Sequence, residues 1–318
     1  MNRSDSRVTP PAARIARRRG FPALRLCLAA LALLPLAALA GQSDAPALLR
    51  MKFRQGEVNK YQTNMQMTMH MVMNMGTGQS HPGPAPQPMT IPVNMNMLIQ
   101  QQVTKVLANG NGVITSTVLN QQMSMNGQTR PNGANTPTTT ITMTPLGKVV
   151  SMTGIPQQNP MSGIFGPNSL SGMGTYLPSR AVRPGDSWTD TMRMPGLTGA
   201  GSGTVRSHFI RYETVGRYRT ALIRSVVTVP LNMNMNMMGQ PAGRSGAGTM
   251  TMSGSMHITT DNNFAVAEGK LIRTTGDGGA SIAMHFPHSS QPSRPGMGAM
   301  PQSTLMTMKM TMTMTLTP

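Results

Sequence analysis

Methionine occupies every second position in two long stretches of this chain. In TLMTMKMTMTMTLTP, residues 304–318, it stands at Met306, Met308, Met310, Met312 and Met314. In NMQMTMHMVMNM, residues 64–75, it stands at Met65, Met67, Met69, Met71, Met73 and Met75. A helix would scatter residues of this spacing around all its sides, whereas a strand places them on one face. The opposite face of the 64–75 stretch then carries Asn64, Gln66, Thr68, His70 and Asn74, with Val72 its one apolar member. In the 304–318 stretch it carries Thr307, Lys309, Thr311, Thr313 and Thr315. Such runs extend roughly 35–40 Å, long for a globular strand.

The rest of the composition agrees. Only 11% of residues are charged and 3% aromatic, while the chain holds 33 Gly and 26 Pro among its 318 residues. That balance suits strands joined by irregular loops better than a helical bundle. Further strands are expected in VNMNMLIQQQVTKVLA, GVITSTVLNQQMSM, TTTITMTP, KVVSMTG, GTVRSHFIRYETV, YRTALIRSVVTVPLNMNM, GTMTMSGSMHITT, FAVAEGKLIRTTG and ASIAMHF. Turns are expected at ANGNG, PLGK, TDNN and GDGG, whose Gly, Asn and Asp tolerate tight backbone conformations. The fold class is therefore mainly β. An antiparallel curved sheet or half-barrel of about eleven or twelve strands is expected. Residues 76–88, 126–137 and 288–301 read as solvated loops, and a short helix is expected near Ser169.

Two halves are expected, 41–154 and 181–318, joined by a crossover at 155–180. RQGEVNKYQTNMQM begins at Arg54 and RPGDSWTDTMRM at Arg183. Each runs Arg, one residue, Gly, an acid, then an aromatic (Tyr61 or Trp188) followed by Met at plus four and plus six. The spacing differs by two residues, which preserves the face of each side chain, as copied strands require.

Residues 1–40 read as a cleaved signal peptide. A basic n-region spans Arg14 to Arg19, and LCLAALALLPLAALA forms a short apolar core. The small-residue site ALA ends at Ala40, before Gly41. The apolar run falls short of the roughly 20 residues that span a bilayer. RRGF at 18–21 fits twin-arginine export as well as a general basic n-region. The single cysteine, Cys27, lies within this segment, so the mature chain has neither disulfide nor thiol chemistry. The formal charge is +18, and the first 40 residues hold seven Arg and one Asp, leaving +12 on the mature chain. That charge favours an anionic envelope surface as a partner. With an export signal present, nucleic acid is not expected, although Phe209, Tyr212 and Tyr218 are interleaved with Arg between 180 and 224.

The order of MKFRQGEVNKYQTNMQM, TKVLANGNGVITSTV, TPLGKVVSMTG, LPSRAVRPGDSWTD, HITTDNNFAVAEGKLI and a Met/Thr C-terminal strand resembles a family of secreted bacterial proteins. That family is known only as a domain of unknown function. The resemblance spans nearly all of the mature chain, and LPSRAVRPGDSW (Leu177 to Trp188) is its most specific element. It implies an exported β-rich protein and carries no catalytic or ligand residues with it. In overall pattern alone, the chain is also similar to the curved-sheet carriers that move lipoproteins or lipids across bacterial envelopes.

Enzyme motifs are sparse. GAGSG (199–203) lacks a central serine and the Lys-Ser/Thr ending of a phosphate loop. Asp186 and Asp190 flank Trp188, but an aspartate after Gly in RPGDSW more simply accepts turn hydrogen bonds. His285 and His288 are expected to be solvated. The chain therefore reads as non-enzymatic and without a cofactor. Met65, Met67, Met69, Met71, Met73, Met306, Met308, Met310, Met312 and Met314 are the candidate face for an apolar ligand, because unbranched thioethers repack around varied shapes. An envelope scaffold would use the same face for packing. The alternative is Cu(I), a soft ion suited to thioethers. Its candidates are Met95, Met97, Met233, Met235, Met237 and His70, in the M-x-M repeats. Membrane-spanning after cleavage is not expected, since a transmembrane barrel needs aromatic girdles.

Overall fold

The computed structural model of the chain describes residues 45–74, 87–131, 138–154, 175–192, 202–236, 249–286 and 302–318. Alternating side chains produce twelve strands. The first six are β1 (Val58–Asn74), β2 (Met89–Val106), β3 (Gly112–Met125), β4 (Gln128–Pro131), β5 (Thr138–Met143) and β6 (Val149–Thr153). The second six are β7 (Ser187–Met192), β8 (Gly203–Val215), β9 (Tyr218–Asn236), β10 (Thr249–Ala265), β11 (Lys270–His285) and β12 (Ser303–Leu316). They form one antiparallel, curved, unclosed sheet in the order β6-β5-β3-β2-β1-β12-β11-β10-β9-β8-β7, with β4 paired to β3. No helix occurs among the described residues, and none there is long and apolar enough to cross a membrane. The helix expected near Ser169 lies outside them.

The halves 41–154 and 181–318 do not fold into separate sheets. They meet where β1 pairs with β12, in a register that sets Met65 against Met312, Met67 against Met310, Met69 against Met308 and Met71 against Met306. The free edges, β6 and β7, have five and six residues, short enough to offer little template for stray pairing.

The turns β2–β3, β5–β6, β8–β9 and β10–β11 all lie at one end of the sheet, here called the base; the other end is the rim. Residues 45–54 and 175–183 lace the base turns together. Ala47 bridges to Val182, Met51 N–H donates to Pro145 O at 2.8 Å and Lys52 N–H to Gly269 O at 2.9 Å, while Leu177 N–H donates to Leu146 O at 2.9 Å. The Arg50 guanidinium reaches the carbonyls of Pro178 and Ser179, each at 2.6 Å. Lys148 on the β5–β6 turn pairs with Asp190 of β7 at 2.7 Å, linking the two edges of the sheet.

The halves repeat one local geometry. Gly56 and Gly185 both adopt positive φ (85° and 93°). Gly56 N–H donates to Val103 O, Val103 N–H to Glu57 O and Glu57 N–H to Arg54 O; Gly185, Phe209, Asp186 and Arg183 form the same three bonds. The adjoining strand pairs carry bulges at Val103/Lys105 and Phe209/Arg211, and again at Thr142/Met143 and Asn263/Phe264. Aligned on these glycines without a gap, Trp188 matches Asn59, not Tyr61. Both aromatics still face inward, two residues apart.

Four expectations change. TDNN and GDGG are not turns: Thr260–Asn263 lies in β10, opposite the β11 stretch that bulges at Ile272, and Gly276–Gly279 lies within β11. The turn between these strands is residues 266–269, within the stretch FAVAEGKLIRTTG that reads as continuous strand. The loop expected at 126–137 begins instead with a hairpin, because Asn126 and Gly127 both take positive φ (51° and 77°). An Asn-Gly pair of this kind matches strand twist and pairs β4 with β3.

Candidate ligand-binding face

The sheet buries one face, and the chemistry of that face changes from rim to base. At the rim, nine of the seventeen buried members of the largest core cluster are methionine: Met65, Met192, Met233, Met252, Met256, Met306, Met308, Met310 and Met312. Met67, Met69, Met71, Met95 and Met284 pack against them, partly buried. At the base the core holds Leu49, Leu177, Val182, Phe209, Ala221, Ile223 and Phe264, and beside it Val103, Ile114, Ile141 and Met143. Branched and aromatic side chains fill the base, whereas the rim half combines thioethers, concentrated on β1 and β12, with Val205, Val227, Val229, Leu231, Ile258 and Ile282 on β8 to β11.

Between the two lies a belt of buried polar side chains on the same face. The Ser207 and Ser225 hydroxyls lie 2.9 Å apart. Thr274 donates to Asn262 Oδ1 and Asn262 to Thr260 Oγ1, each at 2.9 Å. Thr63, only 2% exposed, belongs to this belt, and its hydroxyl has no partner among the described residues. Buried polar groups are ordinarily hydrogen-bonded; among the described residues Glu268 Oε2, in the β10–β11 turn, is the other buried side-chain atom without a partner.

Below the belt is a cavity of about 70 Å³, lined among others by Glu57, Asn59, Tyr61, Gln101, Lys270 and Met314. Lys270 Nζ donates to Glu57 Oε1 at 2.5 Å and to Asn59 Oδ1 at 3.2 Å. The Tyr61 hydroxyl donates to Leu271 O at 3.2 Å. Burial, with Glu57 nearby, pushes its pKa far up, so it stays a neutral donor.

The candidates from sequence divide cleanly. Met65, Met67, Met69 and Met71 share the inner face with Met306, Met308, Met310 and Met312, while Met314 packs with Tyr61 and Leu271 nearer the base. Met73, at the rim, pairs with Thr304. Met95 and Met97 face inward beside β1, and Met233 lies opposite Met252. Met235 pairs with Met250 in register, and Met237 lies outside the described residues. His70 sits on the other face, bonded to Thr90 Oγ1 at 2.8 Å, so it cannot share an ion with these methionines. Among the described residues, no group of three His, Cys, Asp or Glu could hold a metal ion.

The outer face is polar and offers a furrow of about 570 Å³ over Gly278 and Gly279, flanked by His257, Asp277 and Lys309. The basic and aromatic residues between 180 and 224 do not assemble an open stacking platform. Phe209 is fully buried and meets Tyr212 edge-to-face at 4.9 Å. Arg219 covers the Tyr212 ring at 4.5 Å, and Arg224 grips Asp261 through two bonds of 2.8 Å. Asp186 accepts the Arg183 amide at 3.1 Å, the turn bond expected, which holds its carboxyl below the usual range.

No protein-family model matches this chain, and no curated protein matches it. The functional reading therefore rests on the geometry. The polar belt, the unpartnered Thr63 and the basal cavity carry no periodic signal. Thr63 in YQTNM reads as one more alternating residue, and only cross-strand packing sets it apart.

Proposed function

We propose that the chain is an exported, non-enzymatic protein that binds an apolar ligand, a lipid or acyl chain, on its methionine face. The two halves are copies of one unit, the mature protein begins at Gly41 in the periplasm or medium, and its net positive charge favours an anionic envelope surface. The observation that carries this reading is the concentration of methionine on the rim half of one buried face, above a base filled by branched and aromatic residues. Rigid packing would use Leu, Ile or Val throughout; thioethers at one end provide a surface that reshapes around a chain. The outer face of β1 and β12, with Gln66, Thr68, Thr307 and Lys309, lacks the apolar band that lipid contact requires. Native mass spectrometry before and after organic extraction tests the reading. A lipid-sized mass removed by solvent is expected; a ligand-free protein that binds no added acyl chain would leave the scaffold reading.

A second reading, Cu(I) binding, is favoured by one row of the sheet. Met123, Met95, Met65 and Met312 are consecutive register partners across β3, β2, β1 and β12. Neighbours in such a row lie about 4.5–5.5 Å apart, within reach of flexible thioethers. A Cu(I) titration against a competing chelator separates the readings. We expect no tight stoichiometric binding; binding that is lost when these four become leucine would make this a copper-handling protein.

A further inference from the structure

We infer that the interior takes a single-chain amphiphile with a compact anionic end, such as a fatty acid, and takes it polar end first. This rests on the methionine face being a ligand surface. The inner face of β1 grades along its length. From rim to base it reads Met71, Met69, Met67, Met65, then Thr63, Tyr61 and Asn59, and ends at Glu57 and its partner Lys270. The methionine part from Met73 to Met65 extends roughly 26 Å, long enough for an extended acyl chain. The cavity of about 70 Å³ at the polar end is too small for a chain. It has room for several water-sized atoms, since about 10–15 Å³ of such volume holds one.

Two features give the polar end its chemistry. The cavity is lined by the Lys270–Glu57 ion pair, whereas Lys52, which also borders it, turns its ammonium outward to Ala267 O at 2.8 Å. Lys270 uses two of its three donors, on Glu57 and Asn59. Above the cavity, Thr63 holds a buried hydroxyl with no partner, whereas the Ser207, Ser225, Thr260, Asn262 and Thr274 side chains of the same belt are bonded to one another. A carboxylate at the level of Thr63 gives that hydroxyl an acceptor, and one that descends further, into the cavity, meets the third donor of Lys270.

The test uses the delipidated full chain, with displacement of an apolar fluorescent dye by dodecanoate, methyl dodecanoate and dodecane. Affinity should fall in that order. Thr63→Val, which keeps the shape and removes the hydroxyl, should weaken dodecanoate about five- to tenfold and leave dodecane unchanged. Thr63→Ser should bind like wild type. Because Thr63→Val removes a buried unpartnered hydroxyl, it should fold with at least wild-type thermal stability. Equal affinity for dodecanoate and dodecane, untouched by Thr63→Val, would overturn the polar-end-first arrangement while leaving the apolar face as a ligand surface. Methyl dodecanoate bound as tightly as dodecanoate would overturn the anionic end. Failure of all three probes would overturn the ligand reading beneath both.

Discussion

Met310 and Met312 lie in register opposite Gly278 and Gly276 of β11. At 5% and 6% exposure the methionines are core, so leucine should substitute at less than about 1.5 kcal/mol each. Glutamine should cost on the order of 1–3 kcal/mol each, by burying an unpaired amide. Urea denaturation of the two double variants checks this, and equal losses would count against an apolar role. The glycines answer a different need. A Cβ at Gly278 would stand 2.6 Å from the His257 carbonyl oxygen, and one at Gly254 would stand 2.0 Å from that of Ser281. The strands approach too closely there for any side chain, so Gly278→Ala should destabilise by roughly 1–3 kcal/mol in the same assay.

At the scale of elements, the base is where charge and burial are coupled. Residues 175–178 carry Tyr176, whose pKa is pushed up to about 12 by burial first and by Asp190 second. Its ordinary value is 10.0, so the unfolded chain releases this proton before the folded chain does. The stabilisation is complete below pH 10 and is lost as pH rises toward 12. Melting temperature should therefore fall between those values, and Tyr176→Phe should flatten part of the fall; an unchanged alkaline slope would contradict the assignment. Two lysines, each following a glycine of positive φ in a base turn, form ion pairs of unequal burial. Lys148–Asp190 is 38% and 22% exposed, and Lys270–Glu57 22% and 19%. Lys148→Ala should cost no more than about 1 kcal/mol. Lys270→Ala should cost more, because Glu57 is then left in a less hydrated place. Chemical denaturation of the two variants compares them directly.

At the scale of the whole molecule, the proposed apolar ligand face and the net positive charge suit a protein that works among envelope lipids, and export would be the condition for reaching them. The native protein should begin at Gly41, and N-terminal sequencing of material from the periplasm or medium checks this. A chain that starts at Met1 in the cytoplasm would remove the basis for an envelope ligand. The charge gives a second whole-molecule effect. Adsorption to anionic vesicles should weaken steeply as salt rises, because exposed charges more than a Debye length apart are screened.

The strands and their inward faces were legible in the sequence, because a period of two is a local property that five or six residues suffice to reveal. It identified the inner methionines of β1 and β12, the polar outer position of His70, and the base turns at ANGNG and PLGK. Residues whose meaning depends on another strand were not legible. Gly276–Gly279 and Thr260–Asn263 have turn composition, yet the glycines serve close backbone approach within β11, and Thr260–Asn263 continue β10 with Thr260 and Asn262 in the buried polar belt. The Asn126–Gly127 hairpin was hidden in a polar stretch. Neither the pairing of β1 with β12 nor the lacing of the base by 45–54 and 175–183 could be read locally, since both join residues far apart in the chain. Thr63 shows the same division: alternation told which way its side chain points, and only the packed sheet decided that its hydroxyl would be buried without a partner.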